Sequence, residues 1–132
     1  MDRHFRKVTD LAADLVEFAR ELTTPMIDYR DHFALVRQIA AEVGHVPSAA
    51  IDAWQQAGPL RVQRRLAQHL EELARRGLLR VDDPFRAAGH LVSLAAGEVR
   101  SRTYHGAFPL PDAEVAAIAV DGVRAFLHGH LP

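Results

Sequence analysis

Residues 81–130 read VDDPFRAAGHLVSLAAGEVRSRTYHGAFPLPDAEVAAIAVDGVRAFLHGH, and this stretch decides the fold. It divides into two long helical segments joined by the connector HGAFPLP. The first segment carries Phe85, Ala87, Ala88, Gly89, Leu91, Val92, Leu94, Ala95, Ala96, Gly97 and Val99. The second carries Ala113, Val115, Ala116, Ala117, Ile118, Ala119, Val120, Val123, Ala125, Phe126 and Leu127. Both are apolar around most of the helix, whereas a helix of a small soluble domain usually shows a single apolar face. Two such helices need cover on two sides. One side is their own domain; the other is most simply a second copy of the chain. The hairpin therefore predicts a helical homodimer, with Val92, Ala95, Ala96, Val99, Val115, Ala119, Gly122, Val123 and Phe126 at the interface. Gly97 and Gly122 each cost about 1 kcal/mol against Ala inside a helix, a cost that close backbone approach at a crossing would offset.

Working outward, Asp83 as N-cap with Pro84 at the first helical position is a strong helix start. Upstream, Val62, Leu66, Leu70 and Leu73 set a helix from about Pro59 to Arg76, and Gly77 caps it while Leu78 folds back over the last turn. Gly58 and Pro59 mark a kink or a very short break after a short helix over about Pro47 to Ala57, whose inner side is Ala50, Ile51 and Trp54. Another helix, from Asp28 or Asp31 to Val43, carries the stripe His32, Leu35, Val36, Ile39, Ala40 and Val43, with Gly44 in the left-handed position after it. The first helix spans about Phe5 to Leu22, on Val8, Leu11, Ala12, Leu15, Ala19 and Leu22, and Thr23, Thr24 and Pro25 stop it. No segment reads as a strand. The fold class is all-α, a bundle of about five or six helices forming one domain over residues 1–132.

Composition narrows the function. Nearly half the residues are apolar and a quarter charged, as in ordinary globular proteins. A net charge of −1 gives no field that marks a nucleic-acid or membrane binder. The absence of Cys excludes disulfides and thiolate metal sites. The charged N-terminus lacks an apolar signal core, and no apolar run is long enough to span a bilayer. The expected location is the cytoplasm.

The run LVRQIAAEVGHVPSAAIDAWQQAGP, then RVQRRLAQHLEELARRGLLRVDDP, then FRAAGHLVSLAAG resembles the C-terminal domain of TetR-like transcriptional regulators. The closing PLPDAEVAAIAVDGVRAFLHG fits that family's final helix. The resemblance implies a domain that dimerises through its last two helices, forming a four-helix bundle with its partner. It also implies an effector pocket between the central helices, whose occupation controls DNA binding. The DNA-binding helix-turn-helix domain of such regulators has no counterpart in these residues, so DNA would be reached only through a domain not in this chain. An alternative is a stand-alone helical dimer that serves as an interaction module or titrates a full-length regulator.

A pocket between the central helices and the first hairpin helix would be lined by Phe18, Leu22, Met26, Phe33, Val36, Trp54, Leu66, Leu70 and Leu91, each of which also suits a plain core. The expected effector is small and mostly apolar. Trp54 offers a large apolar face and one donor. His69 lies beside the Leu66–Leu70–Leu73 stripe, as an effector contact or a boundary histidine. Glu98 interrupts an apolar run and needs a partner if buried; it is either a ligand anchor or paired with Arg102 or Arg100. Arg37 would reach an acidic ligand or a structural carboxylate. The eight His residues show no metal-binding spacing. No nucleophile elbow, P-loop or dinucleotide loop is present, so neither catalysis nor a cofactor is expected.

Overall fold

The computed structural model describes the backbone of residues 2–28 and 30–132 and the side chains of residues 10–23 and 32–132. Its elements are α1 (Asp2–Asp28), α2 (Arg30–Ala41), a 3-10 turn (Val43–His45), α3 (Ser48–Ala57), α4 (Pro59–Arg75), α5 (Pro84–Val92), a π-helical segment (Ser93–Gly97), α6 (Glu98–Arg102) and α7 (Asp112–His130). No strand occurs among the described residues.

The main core joins α1, α4, the α5–α6 arm and α7. Leu11, Leu15 and Ala19 come from α1, Leu66, Ala67, Leu70 and Leu73 from α4, and Ala87, Ala88 and Leu91 from α5. Ala95 of the π segment and Ala119, Val123, Phe126 and Leu127 of α7 complete it. A smaller cluster of Val99, Val115 and Ile118 closes the far end of the hairpin, with Phe33 of α2 and Leu110 packed against it.

Local signals explain several boundaries. At the end of α4, Gly77 has φ +78°. Leu78 N–H donates to the Leu73 carbonyl at 3.0 Å and Gly77 N–H to the Ala74 carbonyl at 3.0 Å. This paired return satisfies two carbonyls the helix leaves open. It also lays Leu78 against the core. At the start of α5, the Asp83 carboxylate accepts from Arg86 N–H at 3.1 Å, and Pro84 occupies the first turn. Gly58 alone separates α3 from α4.

Other boundaries differ from expectation. Helix α1 continues past Thr23 and Pro25 to Asp28. The Thr23 hydroxyl donates to the Arg20 carbonyl at 3.1 Å, so it is satisfied within the helix. The proline removes only its own N–H, and the helix ends within the next turn. Gly44 lies inside the 3-10 turn, without the positive φ expected of a cap. The inward face of α2 is Phe33, Val36, Arg37 and Ile39, whereas His32, Leu35, Ala40 and Val43 are exposed. The stripe is thus rotated from the one the sequence suggests, because α2 packs by its Phe33 edge.

The first hairpin helix is not continuous. The π segment adds a wide turn between α5 and α6, directly beneath Gly122 of α7. A Cβ built at Gly122 would lie 2.3 Å from the Leu94 carbonyl oxygen and 2.6 Å from its carbon. Backbone meets backbone here, which is the close approach expected of this glycine. Gly97 has open space around its Cβ position, so no close contact within the chain explains it.

Candidate functional site

The expected pocket residues separate into three groups. Leu66, Leu70 and Leu91 are at most 1% exposed and belong wholly to the core. Phe18 and Leu22 of α1 and Trp54 of α3 are half-buried, as are Phe33, Val36 and Arg37 of α2. His69 and Glu98 are exposed. Met26 falls outside the residues whose side chains are described. The structure therefore brings Phe33, Val36 and Arg37 together on one face of α2 and leaves His69 in solvent.

Glu98 is paired within the chain. Its carboxylate meets the Arg102 guanidinium at 3.2 Å, and the same guanidinium meets Glu114 at 2.9 Å. These exposed contacts tie α6 to the first turn of α7. The Glu114 and Glu98 carboxylates together hold the Arg102 guanidinium above its ordinary pKa. Arg100 takes no part. It is half-buried, and burial alone pushes its pKa below the ordinary value.

Arg37 reaches across to the hairpin connector, where its Nη1 donates to the His105 carbonyl at 2.9 Å. That connector holds three consecutive left-handed residues: Tyr104 (φ +50°), His105 (φ +59°) and Gly106 (φ +87°). Two of them carry side chains that disfavour this conformation. Surrounding bonds enforce it. The Thr103 hydroxyl donates to the Val99 carbonyl at 2.7 Å and accepts from Gly106 N–H at 3.0 Å, and Phe108 N–H donates to the Thr103 carbonyl at 3.0 Å.

A cavity of about 380 Å³ lies between the α4–α5 loop and the end of α7. Its lining is largely polar: Arg80, Asp82, Asp83, Arg86, His90 and His130, with Ala87, Gly129 and Leu131. A second, of about 640 Å³, opens along α1 at Ala12, Ala13, Val16, Glu17, Arg20 and Glu21. Neither is lined by the residues expected from the sequence. Among the described residues no group of three His, Asp or Glu side chains is placed to hold a metal ion, and no helix is long and apolar enough to cross a membrane.

The expected dimer residues lie largely inside the single chain. Ala95, Ala96, Val99, Val115, Ala119, Gly122, Val123 and Phe126 are buried within one chain, and Val92 is half-buried against the main core. They offer little accessible surface beyond the chain's own core. The outward face of the same two helices instead presents Leu94 (42% exposed), Val120 (38% exposed), Ala113 and Ala117, bordered by His90, Asp121 and Arg124.

The fold is an all-α bundle whose last helical arms form a hairpin, with a half-buried α2 face beside it. The model of the AefR-like transcriptional repressor C-terminal domain matches residues 13–129. The chain belongs to that family, the C-terminal domains of TetR-family transcriptional regulators. It is similar to the solved structure of the flavonoid-responsive regulator FrrA, with 35% identity and a TM-score of 0.76, over 89% of this chain and 59% of that one. A TetR-family transcriptional regulator from Mesorhizobium loti MAFF303099 is similar at 27% identity and a TM-score of 0.80, over 92% of this chain and 59% of that one. The chain thus spans under two thirds of the length of these relatives. No curated protein sequence matches it.

Proposed function

We propose that this chain is the effector-binding and dimerisation domain of a transcriptional regulator. A small, mostly apolar effector binds beside α2 and the hairpin, and the resulting shift is passed to a DNA-binding domain outside these residues. The observation that carries the reading is the family match across residues 13–129. The similar regulator FrrA is flavonoid-responsive, which points to a flat aromatic effector for this chain as well. Phe33, Val36 and Trp54 are half-buried and can give such a ligand apolar contact without unpacking Leu66, Leu70 or Leu91.

Dimerisation uses the outward face of the hairpin. Leu94 and Val120 form its apolar centre, and the small residues Gly97, Ala113 and Ala117 let a partner's helices approach. The test is a thermal-shift series with flavonoids and unrelated apolar aromatics. A saturable rise in melting temperature supports the sensory role, and no rise with any member of the series contradicts it.

A further inference from the structure

Along the α5–α6 arm, the residues turned inward come in successive pairs: Leu91 and Val92, Ala95 and Ala96, Val99 and Arg100, then Thr103. All but two are apolar. The Thr103 hydroxyl is satisfied by its two backbone bonds. Arg100 is the single charge that this face turns toward the bundle.

Only Arg37 and Arg100 among the described arginines are not exposed. Arg37 donates to the His105 carbonyl. Among the described residues Arg100 has no ion pair and no side-chain hydrogen bond: the carboxylate of Glu98 is held by Arg102 instead. A partly desolvated cation is unfavourable unless an anion compensates it. The guanidinium is not sealed in, since no buried side-chain nitrogen among the described residues lacks a partner. It is uncompensated among the described residues and reachable from outside the core.

Its surroundings suit an acid with an apolar body. Val99, the neighbour of Arg100, packs with Phe33 of α2, Val115 and Ile118. His105 N–H donates to the Arg100 carbonyl at 2.8 Å, and the His105 carbonyl accepts from Arg37 at 2.9 Å. The His105 backbone thus bridges the Arg100 carbonyl and the Arg37 guanidinium.

We infer that Arg100 is the anion-holding group of the effector site, so that the preferred effector is an aromatic or alicyclic molecule bearing one acidic group. The inference rests on the sensory reading above. The guanidinium fork offers two parallel donors to a carboxylate or sulfonate, and the unpaired cation gains its counter-charge only when the ligand is bound.

Two fluorescent probes test this. 8-Anilinonaphthalene-1-sulfonate and N-phenyl-1-naphthylamine share a ring system and differ by the sulfonate. Arg100→Gln should weaken binding of the sulfonate by about tenfold or more while changing the neutral probe by less than about twofold. Arg100→Lys should recover part of the loss, because it keeps the charge without the fork. If Arg100→Gln does not fold, the preference of the unaltered protein for the sulfonate should fall as salt is raised. Equal affinity of Arg100→Gln and the unaltered chain for the sulfonate overturns the inference, as does equal weakening of both probes or a salt-independent preference. In those cases binding of the neutral probe leaves the sensory reading standing. Failure of the unaltered chain to bind either probe removes both.

Discussion

Gly122→Ala is the most direct perturbation of the hairpin crossing. In an ordinary helix the change would stabilise by about 1 kcal/mol. Here the new methyl would sit 2.3 Å from the Leu94 carbonyl oxygen, 2.6 Å from its carbon and 2.9 Å from the Ala95 Cα. These are backbone atoms of a packed segment, and no side-chain rotation relieves the overlap. Helix α7 must retreat by about 1 Å to restore ordinary contact, loosening the packing of Ala119, Val123 and Phe126. Overpacking of this kind costs about 3 kcal/mol at the upper end of its usual range, so the net loss is about 2 kcal/mol. For a domain of this size that lowers the melting temperature by roughly 8 °C. Gly129→Ala, in the same helix, is the control: open space surrounds its Cβ position, so the fold should lose nothing. Thermal unfolding followed by circular dichroism measures both. A Gly122→Ala variant that melts at or above the unaltered protein would refute the close-approach argument.

Other substitutions probe separate parts of the account. Leu70→Ala empties a fully buried position and should cost about 2–5 kcal/mol in denaturant unfolding. Asp83→Ala removes the bond to Arg86 N–H and should cost about 1 kcal/mol, read by the same assay. Arg102→Ala should leave the denaturant midpoint nearly unchanged, because its carboxylate partners are exposed. Val120→Glu lies on the outward face, so it should abolish self-association in sedimentation equilibrium while the helical circular dichroism is kept, with the melting temperature lowered by loss of the partner.

Features set by local chemistry were legible in the sequence. Asp83 with Pro84, and Gly77 before Leu78, identify a helix start and stop because the bonds they make lie within a few residues. Gly122 was legible for a related reason: a glycine inside an apolar helix needs a compensating contact. The phase of the hairpin was not. When nearly every position is apolar, periodicity cannot say which side meets the chain's own core, so Ala119, Val123 and Phe126 read as interface when they are interior. The π segment was equally hidden, since no residue type in Ser93–Gly97 marks a wide turn and its contact with Gly122 of α7 is distant in sequence. Rotation of α2 toward Phe33 likewise depends on Val99, Val115 and Ile118, which are distant in sequence. At the candidate site, Phe33, Val36 and Arg37 came from pattern, but Arg100 did not. A charge beside Glu98 reads as solvent-facing until Arg102 is seen to take that carboxylate.

The central claim is that the chain is both a sensory and a dimerising domain, and native mass spectrometry addresses both halves at once. The account predicts a species at twice the single-chain mass of 14.6 kDa, with added mass when an aromatic acid is supplied. A single-chain mass at every protein concentration, with no ligand retained, would contradict it.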